Sequence, residues 1–350
     1  MFFPLVSLIA VVTLGMLAPP PKATPNTTPP AAQEPQAPQP EESSTQTPED
    51  SPYKFTVDAT LVNLNVMVTD EDGVVLGGLK KGDFRVLDNG VPQQILDFSP
   101  TTAPITIVLL MEYSSSSYDY FAYKAADWSS RFLDHLEQRD WIALVTYDIQ
   151  PKVRVDFTHE RYRVRDELSM LGFPGFSESN LFDALIDTLD KLDHVKGRTS
   201  ILLMTTGANS FSAATLDDVL KRLRQSDTTI FSVNLAEEEY IRSGNTSISF
   251  LQTKSSLTTF SERTGGIAYF PRFEGELPDI FRSVAGYLRS EYTLSFRPPL
   301  ASRDGRFHRI KVEIVGPDGK LLNVTNEKGK KRKVEVYTRE GYMAPKAGTQ

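Results

Sequence analysis

The run Ile105-Thr106-Ile107-Val108-Leu109-Leu110-Met111 constrains this chain more than any other stretch. Seven apolar or β-branched residues in succession are too few to span a membrane and too uniform for a half-exposed strand. They read as a strand buried on both faces in the middle of a parallel sheet. The run ends in Glu112-Tyr113-Ser114-Ser115-Ser116-Ser117, a carboxylate followed within five residues by four hydroxyls. In open α/β sheets ligands bind outside the carboxyl ends of the strands, so the oxygens of Glu112, Ser114 and Ser116 fall where such folds carry their sites.

The residues that follow repeat the pattern. Residues 141–147, 201–204 and 229–233 are strand-like, with 153–157 and 267–270 as shorter pieces. Phe121, Ala125, Trp128, Phe132 and Leu136 recur at helical spacing, as do Leu181, Leu185, Leu189 and Leu192, with Ser179 expected to cap the second of these helices. Leu216, Val219, Leu220 and Leu223 mark another helix, Leu257 and Phe260 one that stops at Gly265-Gly266, and Leu277, Ile280, Phe281, Val284 and Leu288 a last one. This alternation predicts a doubly wound α/β domain over 103–290, with helices on both faces of the sheet.

On either side the period changes to two. Val62, Leu64, Val66 and Val68 alternate, and Asp72-Gly73 turns the chain into Val74-Val75-Leu76. Residues 84–87 are expected to meet Val91 and 95–98 across Asp88-Asn89-Gly90, with Pro92 on an edge strand. Beyond Glu291, residues 292–296, 308–315 and 333–337 alternate again. The expectation is one β-sandwich-like domain, built by pairing a segment at 53–102 with one at 291–345. The basic run 328–333 reads as a solvated hairpin turn, with a docking patch for an acidic partner as the alternative.

Residues 2–18 are apolar and run into Pro19-Pro20-Pro21, which predicts a secretory signal over 1–18, with a retained N-terminal anchor as the second reading. Residues 19–52 hold 11 of the 23 prolines and almost nothing large and apolar, the composition of an extended tether. The expected location is secreted, periplasmic or on the cell envelope. A net charge of -7 argues against nucleic acid as the main partner, and the absence of cysteine excludes disulfides and thiolate metal sites.

Hard divalent cations take oxygen ligands, and one carboxylate with two hydroxyls can supply half an octahedral shell. The rest would come from neighbouring loops carrying Glu178 and Ser179, and Thr205, Thr206 and Asn209. The three stretches Glu112-Tyr113-Ser114-Ser115-Ser116, Ser179-Asn180-Leu181-Phe182-Asp183-Ala184-Leu185 and 201–207 together resemble a von Willebrand factor A (VWA) domain. The wider layout, with Val66-Thr69-Asp70-Gly73 and Leu79-Asp83-Phe84 before it and Tyr292-Thr293-Leu294 and Arg339-Glu340-Gly341-Tyr342 after it, resembles a bacterial family of secreted VWA-related proteins.

The resemblance implies a metal-ion-dependent adhesion site made of Asp-x-Ser-x-Ser, a Thr and a second Asp. Here Glu112, Ser114, Ser116, Ser179 and Thr206 stand at those positions. Glu112 is one methylene longer than Asp, and Thr206 removes a charge, so the expectation is a weakened or lost site for Mg²⁺ or Mn²⁺.

No Gly-x-Ser-x-Gly elbow or phosphate-binding Gly-rich loop occurs, and His135, His159, His194 and His308 are scattered over helices, a loop and the outer β part. The expected function is therefore non-enzymatic binding of a protein ligand, through a rim at residues 112–117, 178–180 and 205–212 with aromatic surface from Tyr113, Tyr118 and Tyr120. The alternative is a structural scaffold or spacer. A Mg²⁺-dependent adhesion receptor using Glu112 and a serine hydrolase rank behind both. Membrane contact is expected only through an uncleaved N-terminal segment.

Overall fold

The computed structural model describes residues 61–100, 104–115, 125–237, 241, 248–325 and 331–346, all within one compact unit, Val57–Gln350. The expected signal segment and tether, together with Ser116, Ser117, Tyr118, Tyr120 and Phe121, lie outside the described residues.

The chain enters through β1 (Val62–Asp70), β2 (Phe84–Asp88), β3 (Val91–Gln93) and β4 (Ile95–Pro100). It then runs through β5 (Thr106–Glu112), α1 (Ala125–Asp134), β6 (Trp141–Tyr147), β7 (Pro151–Thr158), α2 (Arg161–Ser169), α3 (Leu181–Leu192) and β8 (Thr199–Thr205). There follow α4 (Leu216–Leu223), β9 (Thr229–Asn234), α5 (Ile248–Thr264), β10 (Ala268–Tyr269) and α6 (Leu277–Arg289). It closes with β11 (Tyr292–Phe296), β12 (Phe307–Ile314), β13 (Asn323–Thr325), β14 (Lys331–Tyr337) and β15 (Gly341–Met343).

Six strands form the central sheet in the order β10-β9-β8-β5-β6-β7, parallel except for β7 at one edge. Counted from β5, this is the 3-2-1-4-5-6 order of doubly wound folds. Every residue of β5 and β8 is buried, as the unbroken apolar runs require. Ile107, Leu109 and Met111 point to a layer that includes Phe132 of α1, Val164 and Leu168 of α2 and Phe281 of α6. Val108 and Leu110 point the other way, to Leu185 of α3, Val219 of α4 and Phe260 of α5. Each fully buried aliphatic side chain contributes about 1.5–3 kcal/mol, so these two strands alone anchor the fold.

Strands from the two ends of the chain pair directly. One sheet has the order β13-β14-β1-β11-β4 and the facing one β15-β12-β2-β3, with Leu64, Val66, Val86, Leu294, Phe296 and Val312 between them. The Asn89-Gly90 turn has φ of 48° and 83°, the left-handed pair that a tight hairpin demands. One expected pairing is corrected. Only β3 returns along β2. The chain then crosses over, and β4 joins β11 in the other sheet, because alternation fixes which face of a strand is buried and leaves its neighbour unspecified. Residues 331–333 of the basic run are strand, part of β14, with Arg332 paired to Asp72.

Candidate functional site at the strand ends

β5 and β8 are neighbours at the point where the strand order reverses, so the crevice outside their carboxyl ends is the place where this architecture leaves room for a ligand. Glu112 ends β5 and Thr205 ends β8. The Glu112 carboxylate has no exposed surface and is enclosed by donors. Its Oε1 accepts from the Ser114 hydroxyl at 3.1 Å. Its Oε2 accepts from the Thr205 hydroxyl, the Thr206 hydroxyl and the Thr206 main-chain N–H, each at 2.8 Å. A carboxylate taken out of water without partners would be costly, and these bonds replace the lost hydration.

Tyr147, the last residue of β6, completes the cluster. Its hydroxyl donates to Thr205 Oγ1 at 2.8 Å, and the ring is almost fully buried. Burial and then the nearby Glu112 push its phenol well above the usual tyrosine range, against the opposing hydrogen bond to Thr205. Tyr147 therefore serves as a fixed donor rather than a proton exchanger. Sequence patterning shows it only as a strand residue. Its one distinguishing sign is that it ends the strand beside the one carrying Glu112.

The loops around this hub are tied to one another. Ser179 donates its hydroxyl to the Ala208 carbonyl at 3.2 Å, and its carbonyl accepts from Ser210 N–H at 2.7 Å. Asn180 Oδ1 accepts from Phe211 N–H at 2.9 Å, while the Asp183 carboxylate accepts from Ala213 and Ala214 N–H at 2.9 and 2.8 Å. Ser115 N–H donates to the Phe176 carbonyl at 2.7 Å, joining the 171–178 loop to the Glu112 loop. The expectation that Ser179 caps α3 is corrected: Asn180 is the cap residue. The first N–H groups of the helix are met from outside, by Asn209 Oδ1 on Phe182 and Ser212 Oγ on Asp183.

Of the residues the sequence singled out, Glu112, Ser114 and Thr206 are in direct contact, and Ser179 is tied to the loop after β8 through the Ala208 carbonyl. Ser116 lies outside the described residues. Among the described residues, the donors around Glu112 do not fit a divalent cation in this arrangement. Oε2 of the one carboxylate is filled by three hydrogens, one of them a main-chain N–H that cannot turn into a ligand.

Of the three tyrosines expected to supply aromatic surface, Tyr118 and Tyr120 lie outside the described residues, and the expectation for Tyr113 is corrected. Tyr113 is buried in the layer with α1 and α6. Among the described residues, the exposed aromatics of this face are Phe173 (82%), Phe176 (45%) and Phe211 (72%), on the two loops tied to Glu112 and Asn180. None of the three stands in a periodic pattern, so nothing in the sequence separated them from core residues.

No family profile and no curated protein matches this chain. Among solved structures, a von Willebrand factor type A protein from Catenulispora acidiphila is 10% identical, over 83% of this chain and 76% of its own, with a TM-score of 0.43. An aerotolerance-related membrane protein from Bacteroides fragilis is 12% identical, over 53% of this chain and 98% of its own, at 0.42. The proximal thread matrix protein 1 of the mussel byssus, with a zinc-occupied MIDAS motif, is 12% identical over 57% and 49%, at 0.40. The chain's own 3-2-1-4-5-6 strand order, its single antiparallel edge and the oxygen-bearing loops gathered over β5 and β8 give the α/β body the doubly wound layout that its resemblance to VWA domains implies.

Proposed function

We propose that this protein is a non-enzymatic, extracytoplasmic binding module that docks a protein ligand on the rim above β5 and β8 without a metal ion. The observation that carries the reading is the pairing of a rigid, self-satisfied hub with exposed aromatics. Glu112 is closed by Ser114, Thr205 and Thr206, the loops are cross-tied, and Phe173, Phe176 and Phe211 face outward on them. Exposed aromatic side chains held on pre-organised loops supply contact area at low entropy cost, the composition found at the centre of protein interfaces. The cluster supplies hydroxyls and one carboxylate but no histidine base, which speaks against acyl transfer.

The test is recovery of envelope and secreted proteins on immobilised wild type, on Phe173→Ser/Phe211→Ser and on Glu112→Ala, each with and without EDTA. The double phenylalanine variant should lose the partner, and EDTA should change nothing. Undiminished recovery by that variant removes the rim from the account, and loss of the partner in EDTA returns the metal to it.

A further inference from the structure

The β-sandwich has a gap in one edge. In β12, the odd-numbered residues turn their main-chain groups toward β2: Arg309 C=O accepts from Asn89 N–H, and Val315 N–H donates to Asp83 C=O. The even-numbered residues therefore face the opposite edge. There β15 pairs only as far as Arg309, and Ile310 N–H is taken by the Glu340 carbonyl at 2.8 Å. At the far end Leu322 N–H donates to the Ile314 carbonyl at 2.9 Å. Glu340 does not return a bond to Ile310, since its own N–H turns away to the Arg263 carbonyl at 2.9 Å.

What remains between these stops is Ile310 C=O, Val312 N–H and C=O, and Ile314 N–H. These four groups have no ladder partner among the described residues. A gap of about four residues at ~3.3 Å each matches one short extended strand.

The space beside this edge is a groove of about 530 Å³ bordered by Ile310, Val312, Ile314, Leu322, Val334 and Val336. Val334 and Val336 belong to the facing sheet and are only half-buried, so the apolar layer of the sandwich is left incomplete there. On the outer face beside the gap stand Arg309 and Lys311, with side chains 80% and 69% exposed. Each carboxylate near them is shared between two cations, Glu313 between Arg85 and Lys311 and Glu340 between Arg263 and Arg309, so positive charge is in excess along this face.

We propose that the open edge of β12 is a second binding site, filled by an extended segment of a partner protein in which apolar residues alternate with acidic ones. Main-chain bonds to Ile310, Val312 and Ile314 hold the segment. Its apolar residues cover Val334 and Val336, and its acidic residues lie across from Arg309 and Lys311. The site lies in the β-sandwich and does not depend on the rim over β5 and β8.

The experiment is amide hydrogen exchange on the full-length protein with a capped four-residue peptide alternating Glu and Val, the length of the gap. The control peptide is N-methylated at the positions whose N–H groups would face β12. The Val312 and Ile314 amides should exchange readily in the protein alone, become strongly protected with the first peptide, and stay unprotected with the second. Lys311→Glu, an exposed substitution that leaves the fold intact, should weaken the peptide roughly fivefold. Val312→Pro removes one outward N–H without costing a bond to β2, and should abolish the protection.

Protection of Val312 in the protein alone would overturn the proposal, because another part of this chain or a second copy would then cover the edge. Equal binding of the methylated peptide, or undiminished binding to Lys311→Glu, would overturn it as well.

Discussion

Glu112 and Thr206 show how two side chains change roles together. The resemblance to metal-binding A domains makes Thr206 a lost charge, whereas in the fold it is a gained pair of donors, its hydroxyl and its N–H both on Glu112 Oε2. The extra methylene of Glu112 lets the carboxylate reach across to β8, where Thr205 adds a third bond. The consequence is a hub whose worth is structural. Glu112→Ala leaves the Thr205 and Thr206 hydroxyls and the Thr206 N–H facing a cavity and each other. It should cost about 3 kcal/mol, from unmet buried donors and lost packing. Urea unfolding at neutral pH measures this. A loss below about 0.5 kcal/mol would mean that the hydroxyls simply turn to one another and that the carboxylate is dispensable. Millimolar Mg²⁺ should not alter the result for wild type, because an ion that binds only the folded state would raise its stability by mass action.

At the scale of elements, the strands of the central sheet were legible because burial on both faces leaves an unbroken apolar run, as in β5 and β8. Most helices were legible from one apolar stripe. α2 was not, since only Val164 and Leu168 of its nine residues are buried and the rest of its sequence is charged or polar. Nor was the true start of α3, whose first N–H groups are met by Asn209 and Ser212 from a loop some thirty residues away. No local pattern can report a cap delivered through the fold. Tyr147 escaped for the same reason, since its partners are set by sheet order. Asp140 is a further case of an element end fixed at a distance. It accepts from Ile105 N–H at 2.9 Å just before β5, from Glu137 N–H at 2.6 Å after α1, and from Arg289 at the end of α6. Burial alone would push its carboxyl up, but the bonds from Arg289, Ile105 and Glu137 outweigh it and hold the pKa below the usual aspartate value. The folded-state pKa is thus depressed, so the stabilisation is present above the unfolded value near 4 and fades as pH falls below it. Asp140→Asn should cost about 1–2 kcal/mol at pH 7 and much less at pH 3. Urea midpoints for both proteins at the two pH values decide this, and an equal loss at both would show that shape rather than charge holds the junction.

At the scale of the whole compact unit, the described residues form an α/β body inserted between β4 and β11 of a sandwich, and it holds together where the two parts share residues. Met67 of β1 is buried in the same cluster as Tyr287 of α6, and the Tyr287 hydroxyl donates to the Gly73 carbonyl at 3.2 Å. On the opposite side the Arg339-Glu340-Gly341-Tyr342 stretch acts as a clasp. Arg339 pairs with Asp227, in the turn before β9, and donates to the Asn63 carbonyl of β1 at 2.8 Å. Glu340 accepts an ion pair from Arg263 of α5, and Tyr342 donates to the buried Asp88 at 2.9 Å. The glycines here are required by contact: a Cβ on Gly341 would lie 2.0 Å from the His308 carbonyl, and Gly265, at φ 83°, abuts the Thr338 backbone. Because Asp227 is exposed, its pairing with Arg339 adds little by itself. The bond to Asn63 and the packing of a side chain only 13% exposed carry most of the clasp. Arg339→Ala should therefore cost about 2 kcal/mol and loosen the coupling between the parts. Scanning calorimetry should show one transition in wild type and two in the variant, the sandwich melting first because its apolar layer is smaller and open beside β12. A single transition, merely shifted downward, would mean that the Met67 and Tyr287 contact is enough to make the two parts unfold as one.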